Sequence, residues 1–411
     1  MEFNTKILHG NAGKQYQDGA TIPPISQVSA FAYDTPEQLE KVFNNRAPGY
    51  AYTRISNPVV SSFEQKVNQL EGGKGAVACS SGMSAVTLAL LNVLEAGDEV
   101  IASSGLFGGT IDLFGDLASF GIVTRFVQSV TVEQVAEQIT DRTKVVFGEV
   151  ISNPGLEVIN LREVADFVHS KGIPFFVDST TATPYLVQPI EYGADVVIHS
   201  SSKYINGGGN AISGVIIDSG KFQWDPKRYP GFAEYQKFGE FAFIAKLRNG
   251  IWRNMGPCLA PMNAFLNIVG MDTLGLRMER ICENALALAE ALEQLDGITV
   301  NYPGLESSPS HTLVKEQFAG KGAGILTLRV GSKERAYAFL NELQYALNAT
   351  NIGDARTLVI HPASTIYVHN TPEQMHAAGV EEDTIRVSVG IEDSVDLIED
   401  FTQAWNKVKE G

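Results

Sequence analysis

The chain has 411 residues and a formal charge of −16. An acidic balance of that size excludes a nucleic-acid or anionic-membrane surface, since both need clustered Lys and Arg. With 44% hydrophobic and 19% charged residues, the composition is that of a soluble globular protein long enough for two or more cores. Cys79, Cys258 and Cys282 are odd in number and far apart, so neither a disulfide framework nor a metal site is expected, and a reducing compartment is.

The first ten residues, MEFNTKILHG, lack the apolar core of a signal peptide. The uncharged stretch 75–94 is long enough to span a bilayer, but its interior Cys79-Ser80-Ser81-Gly82 fits a strand, a turn and a helix. The expectation is a cytoplasmic protein with no membrane segment. Residues 1–60 are rich in turn formers, among them Pro23, Pro24, Pro48, Gly49 and Pro58. They are expected to form an arm lying across another surface, such as a second subunit. Thr35, Pro36 and Gln38 mark the start of one short helix, as N-cap, first residue and capping-box partner.

From Ser61 the pattern alternates. A helix 61–70 ends at Gly72-Gly73, a strand covers 75–79, and the turn Ser80–Ser84 opens a helix over 85–94. That turn is either a plain tight turn or a cradle whose backbone N–H groups face an anion. Further strands are expected from Glu99, Ile122, Lys144, Phe175, Ala194 and Ala211, with a helix over 161–170. Strands alternating with helices predict one doubly wound α/β domain, residues 61–258, on a mainly parallel seven-stranded sheet. The aromatic stretch 221–253 reads as loop, either a flap or a surface packed on a partner subunit. One long amphipathic helix from Pro261 to about residue 294 then leads into a smaller α+β domain, 259–411, with strands near 324–330 and 384–389.

The richest stretch is 175–209. Two buried strands end at Asp178 and His199, and the second runs into Ser200-Ser201-Ser202-Lys203-Tyr204. Groups at the carboxyl ends of parallel strands converge on one crevice, so Asp178 and Lys203 are expected to meet there. They form either a structural ion pair or a functional couple. Hydroxyls at Ser200 and Ser202 and the Gly207–Gly209 run suit close approach of a ligand.

Several segments carry a resemblance. DSTTATP (178–184), HSSSKY (199–204), SGMSA (81–85), Tyr52-x-Arg54-x-x-Asn57-Pro58 and Arg386–Asp393 stand in the order found in the Cys/Met-metabolism (transsulfuration) family of pyridoxal 5′-phosphate (PLP) enzymes. The chain resembles that family over nearly its whole length. Residues 351–364 resemble its O-acetylhomoserine sulfhydrylase branch.

The resemblance implies fold type I, the aspartate aminotransferase-like architecture. It implies PLP as cofactor, no metal, and Lys203 as the Schiff-base lysine, with Asp178 on the pyridine nitrogen. Phosphate contacts would come from Ser80, Gly82, Met83, Ser200 and Ser202, and from Tyr52 and Arg54 of a neighbouring subunit. Thr180 and Asn153 join the cofactor shell, Phe107 stacks on the ring, and the catalytic pair is Lys203 and Phe107. Arg386 would take the substrate carboxylate, supported by Thr357 and Asn153.

The implied reaction is γ-substitution on O-acetyl-L-homoserine by sulfide or a thiol, in a homo-oligomer that is at least a dimer and expected as a tetramer. A γ-lyase or cystathionine γ-synthase is the alternative, and a nucleotide-binding oxidoreductase a remote one, since no G-x-G-x-x-G opens a helix. Five positions depart from the family wording: Phe107 for Tyr, Thr181 for an aromatic, Gly208 for His, and Ile366-Tyr367 for Thr-His. A Phe at 107 can stack but cannot donate a proton, which favours an ester whose leaving group needs little acid help.

Overall fold

The computed structural model describes residues 1–10, 16 and 19–410. Seven strands among them form one sheet: β1 (Gly75–Cys79), β2 (Glu99–Ser103), β3 (Val123–Val127), β4 (Thr143–Glu149), β5 (Phe175–Asp178), β6 (Val196–His199) and β7 (Gly214–Asp218). Their order is β1-β7-β6-β5-β4-β2-β3. β7 runs antiparallel to both neighbours, and the other pairs are parallel. All seven strands lie where the hydrophobic runs place them.

The period of two along each strand sorts the side chains into two cores. Ala76, Ala78, Val146, Val177 and Val197 face one side, beneath the helix Pro58–Glu71 and the helix Leu161–Ser170. Val77, Cys79, Phe147, Phe176 and Ile198 face the other. Asn57 caps the helix Pro58–Glu71 by accepting from the Val59 N–H, and Gly72 ends it at φ +72, where a Cβ would be strained.

The aromatic stretch is the first correction. Residues 230–241 form 3-10 turns, followed by the helices Ala242–Asn249 and Ile251–Met255. Trp224, Tyr229, Phe232, Phe243 and Trp252 are buried in the chain's own second core. Trp224 stacks on Phe232 with ring centres 4.4 Å apart, and the Trp252 indole N–H donates to the Ala78 carbonyl at 3.0 Å. These rings cover the sheet's otherwise bare face, which a flap could not do.

The second correction concerns the long helix. It is two helices, Pro261–Met271 and Leu274–Glu293. Where they meet, Gly270 passes so close to the Asn206 carbonyl that a Cβ would lie 2.0 Å from it. The break turns Arg277 inward, where its guanidinium donates to the carbonyls of Tyr204 at 2.7 Å and Gly270 at 2.8 Å. The lysine-bearing segment is thus held from behind by a buried cation, whose pKa burial lowers to about 10.

A second sheet follows, β10-β11-β12-β9-β8, made of β8 (Thr299–Asn301), β9 (Ile325–Arg329), β10 (Leu347–Asn348), β11 (Leu358–Ile360) and β12 (Thr384–Ser388). Its core includes Trp405, Phe401, Phe339 and Leu288. Arg386 lies on the central strand β12, paired with Thr327 on β9 and Ile360 on β11. The early arm shows the expected Thr35 cap, whose side chain accepts from the Gln38 N–H, but the helix it starts, Pro36–Phe43, buries no residue. No helix among the described residues is long and apolar enough to cross a membrane.

Candidate active site

Parallel strands deliver their carboxyl ends to one edge, and here the turns after β1, β4, β5 and β6 gather around a cavity of ≈ 270 Å³. β7 runs the other way, so Ile212, two residues before it, reaches the same rim. The charged groups lining the cavity are Glu149, Asp178, Lys203 and Arg386.

At one end, Ser81 caps the helix Gly82–Leu91 in a capping box with Ser84. Gly82 and Met83 of its first turn line the cavity, as do Ser200 and Ser202. A Cβ on Gly82 would lie 2.5 Å from the Ser200 Cβ, so only glycine lets these two turns meet. Thr180 ties them to β5: its hydroxyl accepts from the Ser200 N–H at 2.7 Å, and its own N–H donates to Asp178 Oδ1 at 2.8 Å. The Ser202 hydroxyl exchanges hydrogen bonds with the Ser213 backbone at 2.9 and 3.0 Å. Ser80 is a correction: it is exposed and outside the cavity, and the capping position that turns a serine inward belongs to Ser81.

Asp178 and Lys203 share the cavity but do not pair with each other among the described residues. Lys203 Nζ donates to Asn351 Oδ1 at 2.6 Å. Burial, and then the nearby Arg386, lower its pKa to about 8. Burial pushes the Asp178 carboxyl up from its usual range. Beneath them His199 Nε2 lies 2.6 Å from Glu71 Oε1, both side chains fully buried. This pair anchors the strand end before the lysine.

Arg386 reaches the cavity from the second sheet. Its guanidinium donates to Asn153 Oδ1 at 3.2 Å and to the Asn351 carbonyl at 3.1 Å, while Nε has no partner. No carboxylate pairs with it among the described residues, although it is only 3% exposed. Burial lowers its pKa to about 10. A buried, unpaired guanidinium is costly, and an incoming carboxylate would satisfy it with a bidentate bond.

Thr357 is another correction. It lies outside the cavity, donating to Glu392 Oε2 at 2.8 Å and accepting from the Gly390 N–H at 2.9 Å. It fixes the backbone that leaves β12, and its hydrogen bonds go to Glu392 and Gly390 rather than to Arg386. Tyr52 and Arg54 also lie outside their own chain's cavity. Tyr52 is 41% exposed, and Arg54 stacks over its ring while donating to the Arg253 carbonyl at 2.7 Å. Phe107, Asn153 and Thr181 line the cavity; exposed Gly208 does not.

Two lining or adjacent residues were missed. Glu149 ends β4 in register with Asp178 on β5, so the signal that picked out Asp178, a carboxylate closing a buried strand, was equally present there. Asn351 opens the stretch 351–364, but no local pattern says that its side chain meets Lys203 across 148 positions.

The set fits PLP. Backbone N–H groups and hydroxyls at one end suit a phosphate, Asp178 suits a ring nitrogen, Phe107 presents a ring, and Lys203 offers an amine of lowered basicity. Residues 4–406 match the family of Cys/Met metabolism PLP-dependent enzymes. A homocysteine synthase of Schizosaccharomyces pombe is 39% identical over 98% of this chain and 97% of its own. An O-acetyl-L-homoserine sulfhydrylase of Corynebacterium glutamicum is 38% identical over 97% of this chain and 95% of its own. Among solved structures, a Campylobacter jejuni protein assigned as an O-acetylhomoserine (thiol)-lyase, containing a pyridoxyl-lysine monophosphate, superposes with a TM-score of 0.92. It is 33% identical and covers 99% of this chain and 100% of its own. The protein belongs to the Cys/Met metabolism family of PLP-dependent enzymes.

Proposed function

We propose that the protein exchanges the acetate of O-acetyl-L-homoserine for sulfide or a thiol, giving homocysteine or a thioether. The observation that carries the reading is the buried, unpaired Arg386 facing Lys203 across one cavity, with Asn351 contacting both. It is supported by likeness along the whole chain to the sulfhydrylase and homocysteine synthase described above. PLP, when bound, supplies an electron sink for negative charge developing at the substrate Cα.

The chain's own groups do the rest. Arg386, steadied by Asn153, binds and orients the α-carboxylate. Lys203, neutral at a pH above about 8, carries the cofactor and moves protons at Cα and then Cβ. Asp178 would keep the ring nitrogen protonated, the N–H groups of Gly82 and Met83 with the Ser200 hydroxyl would hold the phosphate, and Phe107 would supply a ring to stack on the cofactor. Acetate is a weak base and leaves Cγ without a proton donor, which suits a phenyl group at 107.

Among the described residues no Lys or Arg lies in the turns of Gly82, Met83 and Ser200 that line the cavity before Lys203, so the exposed Arg54 and Tyr52 are assigned to the phosphate of a neighbouring subunit. The arm of residues 1–60 would carry them there, making the active unit at least a dimer. The free thiols of Cys79, Cys258 and Cys282 suit a reducing, cytoplasmic setting.

Product analysis with O-acetyl-L-homoserine, with and without sulfide, tests the reading. Homocysteine and acetate formed only with sulfide is the expected result. 2-Oxobutyrate and ammonia dominating in the presence of sulfide would replace it with γ-elimination.

A further inference from the structure

Glu149 lines the cavity and belongs to none of the roles above. It is 8% exposed. Its Oε1 accepts from the Phe107 N–H at 2.9 Å, and its Oε2 accepts from the Asn153 N–H at 3.1 Å. One carboxyl group therefore bridges two turns that are 46 positions apart in the chain, from 107 to 153.

A second side chain bridges the same two turns from the other side. The Tyr367 hydroxyl, buried in a small cluster with Ala378 and Val380, points at the Leu106 carbonyl at 3.1 Å and the Asn153 carbonyl at 3.5 Å. The segment carrying it presses on the Phe107 turn: a Cβ on Gly108 would lie 2.9 Å from the Ile366 carbonyl. Tyr367 is also a place where the sequence departs from the family wording.

We propose that Glu149 is a positioning residue that, with the Tyr367 hydroxyl, clamps the Phe107 turn to the Asn153 turn and so sets the ring-stacking group and the partner of Arg386 together. The proposal rests on the reading that Phe107 faces the cofactor and that Arg386 takes the substrate carboxylate. Through Glu149, the stacking of Phe107 on the ring and the seat of Arg386 become one geometry. Burial, with Asp178 on the next strand, raises the Glu149 carboxyl to about 8. A glutamine at this position keeps the size but replaces one accepting oxygen by an NH2 group, which cannot accept from a backbone N–H.

The test compares wild-type, Glu149→Gln, Tyr367→Phe and double-variant holoenzymes. Two signals are followed: the visible circular dichroism of the bound cofactor, and the spectral titration with L-norvaline, an amino acid with no leaving group. Glu149→Gln leaves one buried N–H unmatched and is expected to weaken norvaline binding about tenfold and to change the dichroic signal. Tyr367→Phe is expected to weaken norvaline binding about threefold. Because both contacts brace the same turns, the double variant should depart from the product of the two single effects.

Wild-type dichroism and norvaline affinity in both single variants would overturn the clamp, as would effects that multiply independently. If Glu149→Gln does not fold, Tyr367→Phe alone decides, by the same two signals. A wild-type protein with no borohydride-reducible chromophore would instead remove the underlying PLP reading, so the two failures are distinguishable.

Discussion

The cavity has two walls of different origin. One comes from the first sheet: Gly82, Met83, Asp178, Thr180, Ser200, Ser202 and Lys203 all sit within a few residues of a strand end. The other comes from far along the chain: Thr350, Ile352 and Arg386, with Asn351 and Tyr367 behind them. The first wall is built by parallel strands, whose geometry brings their carboxyl ends together whatever the intervening helices do. The second depends on docking the second sheet against that edge. On the proposed function the two walls divide the labour: the near wall would take a cofactor of fixed form, and the far wall the carboxylate of whatever amino acid is bound.

Substitutions should respect that division. The largest effect is expected for Lys203→Ala, which removes the attachment point: the visible chromophore should no longer be reducible by borohydride, and turnover should fall by at least about 10³-fold. Arg386→Ala should leave the chromophore in place and raise KM for O-acetyl-L-homoserine about 10²-fold, because two charge-assisted bonds to the carboxylate are lost. A lost chromophore in that variant would mean the walls are not separable. Gly82→Ala should do the reverse. Its Cβ would push the 82 and 200 turns apart, weakening PLP about tenfold in an apoprotein titration, with little change in KM once saturated.

One effect should cross between the walls. Covalent capture of PLP by the apoprotein needs neutral Lys203, so its rate should rise with pH and level off above about 8, well below an ordinary lysine. Arg386 contributes to that lowering, so Arg386→Ala should move the midpoint to higher pH. A stopped-flow pH series checks the direction, and a downward shift would contradict it. Phe107→Tyr should be the mildest change, within about threefold in turnover of the acetyl ester, since a good leaving group gains little from a new acid.

The near wall was legible because each part is local. DSTTATP and HSSSKY end buried strands, and burial of those strands follows from unbroken apolar runs. Where the reading slipped locally it was by one position: Ser80 was chosen, but the capping geometry turns Ser81 inward. The far wall was legible only at Arg386, through the wording around it. Thr357 was misplaced because its partners, Glu392 and Gly390, lie 35 and 33 positions away. Asn351 and Tyr367 were marked only by the wording around them, which says nothing of the partners they meet. The same reason explains the aromatic stretch: Trp224 and Phe243 look like surface until the sheet face they cover is assembled. The helix expected to run unbroken from 261 stops at Met271, where Gly270 lets the Asn206 backbone approach too closely for any Cβ, again a contact from elsewhere in the chain.

The most direct test of the two-wall account is borohydride reduction of the PLP-loaded protein followed by peptide mass mapping, in the wild type and in Arg386→Ala. The account predicts the pyridoxyl label on the peptide containing Lys203, at equal stoichiometry in both proteins. A label on another lysine, or its loss when only Arg386 is changed, would contradict it.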